Sequence, residues 1–243
     1  MTQIEPMSSR SVLGYQAVVD HLRREFMLGR LRPGDRLPAE RQLAEHLGVA
    51  RETLRQAYRV LEGGGHIQIR RGAHRGAIVQ DSFIDRSQLI SEVAGRTDEI
   101  IELIEFRSIV ETAAAQLAAV RRTDDELRAM EHAQQELQAA ELLPELRAAD
   151  TRFHLTIAAA AGNPRLTTAI EDARVAMFEP VDMLDIRFVK DASVDGHAAL
   201  LSAIRARDPE AAAAAMRGHL GDTKEHFADL LASWGVDRRD LSR

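Results

Sequence analysis

The chain has 243 residues, 45% of them hydrophobic, a formal net charge of −6 and no cysteine. That length allows two modest domains, each with its own core, and the lack of cysteine excludes both a disulfide framework and a thiolate metal site. No apolar run is long enough to span a bilayer, and the first residues lack a basic segment followed by a hydrophobic stretch and cleavage site, so a soluble, cytoplasmic protein with no membrane partner is expected.

The charge is unevenly spread. Residues 1–80 hold 13 Arg and no Lys against 8 acidic residues, a balance of +5, whereas the remainder carries −11. A basic first third on an acidic remainder confines any contact with nucleic acid to that first third.

Residues 1–10 are polar and aperiodic, and are expected to be disordered. Over 14–28, Val18, Val19, Leu22, Phe26 and Met27 recur at helical spacing and Gly29 closes the segment. A turn through Pro33-Gly34 follows, with Arg36-Leu37 a candidate short strand. Residues 38–62 then encode two short helices. Leu43, Ala44 and Leu47 share a face of the first, Gly48 supplies a left-handed stop, and Val49 begins the next segment. With residues stepped by about 100° around the axis, Leu54, Ala57, Tyr58 and Leu61 fall on one side of the second helix and Arg51, Arg55 and Arg59 on the other. An outward arginine face on the second helix of such a pair suits the DNA major groove, where Arg reads guanine or clamps phosphate. After Gly63-Gly64-Gly65, the strand formers Ile67, Ile69, Ile78 and Val79 flank a basic tip, which predicts a hairpin wing.

The run 14–79 resembles the winged helix-turn-helix of GntR-family transcription regulators: Leu37-Pro38 with Glu40-Arg41 opens the second helix, Arg51, Leu54 and Arg55 occupy the third, and Gly72 sits in the wing. The resemblance implies double-stranded DNA as partner, contacted by Arg41, Arg51, Thr53, Arg55, Arg71 and Gly72. Two positions depart from the pattern. Ala50 stands where Ser or Thr usually caps the recognition helix, forfeiting about 1 kcal/mol. Glu52 replaces a common Thr and brings a carboxylate to the DNA-facing side, so the family's operator sequence is not carried over.

The expected architecture is mainly α: a winged helix-turn-helix over 11–80, a polar linker over 81–87, and an all-helical bundle over 88–243. Helices are predicted near 88–94, 98–121, 123–142, 144–161, 165–175, 194–207 and 209–234. Thr123 with Glu126 makes a capping box, while Pro144 and Pro209 suit first turns.

Histidines lie on faces of this bundle that should be buried. Asp150 and His154 fall one turn apart within the stripe Leu146, Phe153 and Ile157; His197 heads Leu200, Leu201 and Ile204; His219 centres on Ala215, Met216 and Phe227. Any one of them alone reads more readily as a satisfied core residue. Together, inside one core, they favour a shared cation, because an unpaired buried polar group costs about 1–3 kcal/mol. His and carboxylate ligation suits a divalent ion, zinc first, with manganese, nickel or iron as alternatives. His226 is a spare candidate near the same face. Arg107 lies in the stripe Ile100, Leu103, Ile104 and Val110 and requires an anion, either Glu111 one turn on or the carboxylate of an effector.

Arg107 with Glu111, Asp150 with Phe153-His154, Gly162-Asn163-Pro164, His197 with Leu200, and Arg217-Gly218-His219-Leu220 resemble the effector domain of the FadR subgroup, the FCD domain. That resemblance implies a divalent metal on Asp150, His154, His197 and His219, a small organic acid beside it, a homodimer and a pseudo-palindromic operator. The chain is thus read as a ligand-responsive regulator and not an enzyme. The alternatives are a metal-dependent hydrolase with an accessory DNA-binding domain, and a regulator whose metal is purely structural.

Overall fold

A computed structural model describes residues 14–70, 76–80, 95–181 and 186–233, with 178–181, 186–189 and 230 described by backbone alone. Arg71 and Gly72 of the expected wing, the segment 81–87, the helix predicted over 88–94 and the first ten residues lie outside them. Contacts divide the chain into two units, Met1–Ile84 and Asp85–Arg243.

The first unit comprises α1 (Tyr15–Met27), α2 (Glu40–Leu47), α3 (Arg51–Gly63), β1 (Ile67–Arg70) and β2 (Gly76–Val79). Val18, Val19, Leu22, Leu43, Leu47, Leu54, Tyr58 and Leu61 interlock as its core, each large apolar side chain contributing about 1.5–3 kcal/mol by leaving water. Between α2 and α3 the chain must turn within a few residues. Gly48 does this at φ +70, a conformation where a Cβ is penalised. Ala50 has the extended backbone of an N-cap but makes no side-chain cap hydrogen bond, as its methyl group dictates. The two strands pair antiparallel, Ile67 opposite Val79 and Arg70 opposite Gly76. Arg36 adds a single bridge to Ile78, and Leu37 N–H donates to Ala77 O at 2.9 Å, so the expected Arg36-Leu37 strand amounts to one bridge on the hairpin.

The second unit contains α4 (Thr97–Arg121), α5 (Asp124–Ala139), α6 (Leu143–Ala160), α7 (Pro164–Val181), α8 (Ile186–Arg205) and α9 (Pro209–Ser233). Helix α4 packs on α9, α7 and α6, while α5 packs on α6 and α8. Its core sets Phe153, Ile157, Leu200, Ile204, Met216 and Leu220 among Ala114, Ala115, Ala118, Ala158 and Ala212, small residues that let helix axes approach. Thr123 and Glu126 form the predicted capping box: Glu126 N–H donates to Thr123 Oγ1 at 3.2 Å, and Thr123 N–H to Glu126 Oε2 at 2.7 Å.

Two helices outrun their sequence limits. Helix α7 continues past Val175 to Val181, with Pro180 in its last turn. Helix α8 starts at Ile186, eight residues before the apolar stripe begins at Val194, and in that extension Lys190 Nζ reaches Ala140 O at 2.7 Å.

Candidate metal centre and nucleic-acid interface

Helix α6 presents Asp150 and His154 one turn apart, α8 presents His197 and α9 presents His219. Their ligand atoms all lie within 4.8 Å of one another. His154 Nε2 is 3.2 Å from both His197 Nε2 and His219 Nε2, and Asp150 Oδ1 is 3.3 Å from His197 Nε2 and 3.9 Å from His154 Nε2. The three imidazoles are buried, whereas the Asp150 side chain keeps 22% of its surface. His226, the spare candidate, stands outside this group.

The spacing fits a metal ion. Around a tetrahedral ion with bonds near 2.05 Å, neighbouring nitrogen and oxygen ligands sit about 3.3 Å apart. The proton inventory agrees. His154 Nδ1 lies 2.5 Å from Glu111 Oε2, and because an ionised carboxylate only accepts, that nitrogen carries the ring proton and Nε2 faces its neighbours as a lone pair. His197 Nδ1 is buried without a hydrogen-bond partner among the described residues. Two ring nitrogens crowded against the His154 Nε2 lone pair cannot all satisfy one another, a conflict that a shared cation would resolve.

Burial and charge act together on these groups. Desolvation pushes the His154 imidazolium down to about 4 against the pull of Glu111, and it likewise drives His219 well below the usual histidine range, helped by the other two histidines. Both remain neutral at pH 7 and so able to donate a lone pair. Burial pulls Glu111 and Asp150 upward, but Arg107 and His154 outweigh it for Glu111, and Arg174 with the histidines for Asp150, so both stay below the usual carboxylate range.

Two features were not read from the sequence in this form. Glu111 is indeed the partner of Arg107, whose Nε donates to its Oε1 at 2.6 Å, but its other oxygen serves His154. Arg174, 4% exposed, donates Nη2 to Asp150 Oδ2 and to Thr151 Oγ1 at 3.3 Å, while its Nε and Nη1 are buried without a hydrogen-bond partner among the described residues. It shares a face with buried Ile170, Ala173 and Met177, so the test applied to Arg107 would have exposed it too.

In the first unit, α3 buries Leu54, Ala57, Tyr58 and Leu61 and leaves Arg51, Arg55 and Arg59 exposed. Thr53 is half-buried and Arg41 is exposed on α2. The guanidinium groups are not bare. Arg55 Nε donates to Glu40 Oε2 at 3.0 Å, and Arg51 lies 3.8 Å from the same oxygen. Glu52 lies 4.0 Å from Arg55 and 3.6 Å from Arg59, a pairing the sequence reading did not foresee.

Comparison with known proteins gives the same division. Residues 14–76 match the family described as bacterial regulatory proteins, gntR family, and residues 102–222 match the FCD domain. The galactonate operon transcriptional repressor of Escherichia coli (strain K12) is 32% identical over 205 residues, covering 80% of this chain and 88% of the relative. The Glc operon transcriptional activator of the same strain is 28% identical over 226 residues, covering 88% and 89%. The E. coli McbR/YncC structure shares the fold with a TM-score of 0.55 at 20% identity, covering 91% of this chain and 99% of that one. The chain therefore belongs to the GntR family of bacterial transcription regulators, in the branch whose DNA-binding winged helix-turn-helix is followed by an FCD effector domain.

Proposed function

We propose that this regulator binds a pseudo-palindromic operator as a homodimer, and that a small carboxylate effector bound beside a divalent metal in the helical domain sets its operator affinity. The observation that carries this reading is the meeting of Asp150, His154, His197 and His219 within 4.8 Å, in a chain that also holds an arginine-faced recognition helix. In this reading the DNA-binding part spans 11–80 and the effector part 88–243, and Arg41, Arg51, Thr53, Arg55, Arg71 and Gly72 would meet the DNA.

The donor set of three imidazoles and one carboxylate favours zinc, with manganese, nickel or iron as alternatives. When bound, such an ion supplies a Lewis-acidic position for a carboxylate oxygen. Arg107, whose Nε is committed to Glu111, is assigned to the effector through its remaining N–H groups, and Nε and Nη1 of Arg174, without a hydrogen-bond partner among the described residues, add a second cationic edge. Galactonate, after whose operon one relative is named, is itself a carboxylate. One relative is named an activator and another a repressor, so operator titration with and without the acid fixes the sign of the response.

For the dimer, α4 leaves Phe106, Ile109 and Val120 exposed within about 60° of one another around the helix, an apolar strip that a second copy would cover. The cytoplasm, where operators reside, is the expected location. A thermal-shift screen of small carboxylates on zinc-loaded protein, followed by operator titration with each hit, tests the whole reading. A hit that shifts both melting and operator affinity is expected. Metal uptake with no responsive acid would reduce the ion to a structural role.

A further inference from the structure

We infer that Glu111, clamped by Arg107, is a positioning residue of the metal centre: it fixes the His154 proton on Nδ1 and makes His154 the best-prepared of three unequal histidine ligands. The inference rests on the metal reading above and concerns residues that supply no ligand themselves.

Each histidine is held in a different way. His154 is held by a hydrogen bond, Nδ1–H to Glu111 Oε2 at 2.5 Å, which aims the Nε2 lone pair at His197 and His219 and raises its basicity as a donor. His197 has no partner for Nδ1 among the described residues. Its ring is instead stacked on Phe153, with centroids 4.0 Å apart and planes 9° from parallel. His219 is held by close approach of the neighbouring backbone: a Cβ built on Gly196 would stand 2.5 Å from its Nδ1. Stacking and close approach fix where a ring lies, but only the hydrogen bond also fixes its tautomer.

Glu111 stands outside the ligand group, because it bonds His154 at Nδ1, on the ring edge away from Nε2, while its Oε1 accepts from Arg107 Nε at 2.6 Å. Arg107 keeps the carboxylate charged and oriented within a site from which water is largely excluded, the Glu111 side chain being 2% exposed. The chain of contacts Arg107–Glu111–His154 ties α4 to the metal, although α4 contributes no ligand. The helix that bears Phe106, Ile109 and Val120 on its outer side is therefore linked to metal occupancy through one carboxylate.

Removing Glu111 alone would strand a buried guanidinium, so the test removes the ion pair as a unit. Arg107→Met/Glu111→Leu abolishes charge and acceptor together, whereas Arg107→Met/Glu111→Gln restores a neutral acceptor for Nδ1–H. With cobalt(II) as the probe and no organic acid present, affinity is expected to fall by about 10- to 100-fold in the first double variant. The second should recover most of that loss and return the wild-type ligand-field spectrum. Affinity within threefold of wild type in a folded Arg107→Met/Glu111→Leu protein would overturn the inference. If that variant does not fold, nitrogen-15 NMR of the metal-free wild type decides: His154 protonated on Nδ1 supports the assignment, and protonation on Nε2 refutes it. A wild-type chain that takes up no cobalt or zinc would sink the metal reading itself. Tight binding that is indifferent to Glu111 would sink only the positioning role.

Discussion

Arg55 enters any encounter with DNA already engaged through Nε with Glu40, and that contact orients its terminal N–H groups without consuming them. A guanidinium held from behind is prepared for the paired acceptors of guanine. Arg55→Ala is expected to weaken operator binding by about 1–3 kcal/mol in a titration at fixed salt; unchanged affinity would remove Arg55 from the interface. Ala50 offers a gain rather than a loss. Its backbone already has N-cap geometry and nothing accepts the first-turn N–H groups from its side chain, so Ala50→Ser should stabilise the N-terminal domain by about 1 kcal/mol in urea denaturation. At this scale much was legible in advance, because helical stepping sorts a helix into faces without further information. Leu54, Ala57, Tyr58 and Leu61 are buried as that stepping requires. The engagement of Arg55 with Glu40 was not, since the two residues sit on different helices and their meeting depends on how α2 crosses α3.

Helices α6, α8 and α9 each deliver histidine to one point, and that convergence makes the metal-free bundle sensitive to acid. Unfolded, His154 titrates near 6.5; folded, burial lowers it to about 4. Between those values the unfolded chain binds a proton that the folded chain refuses, so stability rises with pH across the window and is lost as pH falls through it. The amount is on the order of 3 kcal/mol for His154. Asp150 and Glu111, both held below the usual carboxylate range, contribute stability that is present above about pH 4 and disappears on further acidification. Urea midpoints of chelated protein between pH 7 and 4.5 should therefore fall steadily; a flat profile would contradict the buried neutral histidines. Gly196→Ala tests the helix packing itself. Its Cβ would stand 3.1 Å from His219 Cβ, so His219 or α8 must move, and zinc affinity should drop at least tenfold by chelator competition. The inward faces of these helices were readable one at a time. Arg174 was open to the same facing argument, but its pairing with Asp150 and Thr151 and the second bond of Glu111 join helices across 23 to 43 residues, for which periodicity carries no signal.

For the whole molecule, two compact units with separate cores predict two separable responses to metal. Chelation should lower the melting transition of the helical domain and leave that of the winged domain in place, because only the state that binds the ion is stabilised by it. A shift in both transitions together would mean that the domains unfold as one. The two-part organisation followed from charge and composition, while the contact chain from α4 to His154 did not, since that helix carries none of the four clustered residues. The carboxylates among the recognition arginines have a further effect on how the protein searches a genome. Glu40 and Glu52 already sit within 4.0 Å of Arg51, Arg55 and Arg59, so the recognition helix arrives with internal counter-ions. If these arginines face the duplex, fewer salt ions would be released from random sequence than their number implies, and the protein would linger less at wrong sequences before moving on.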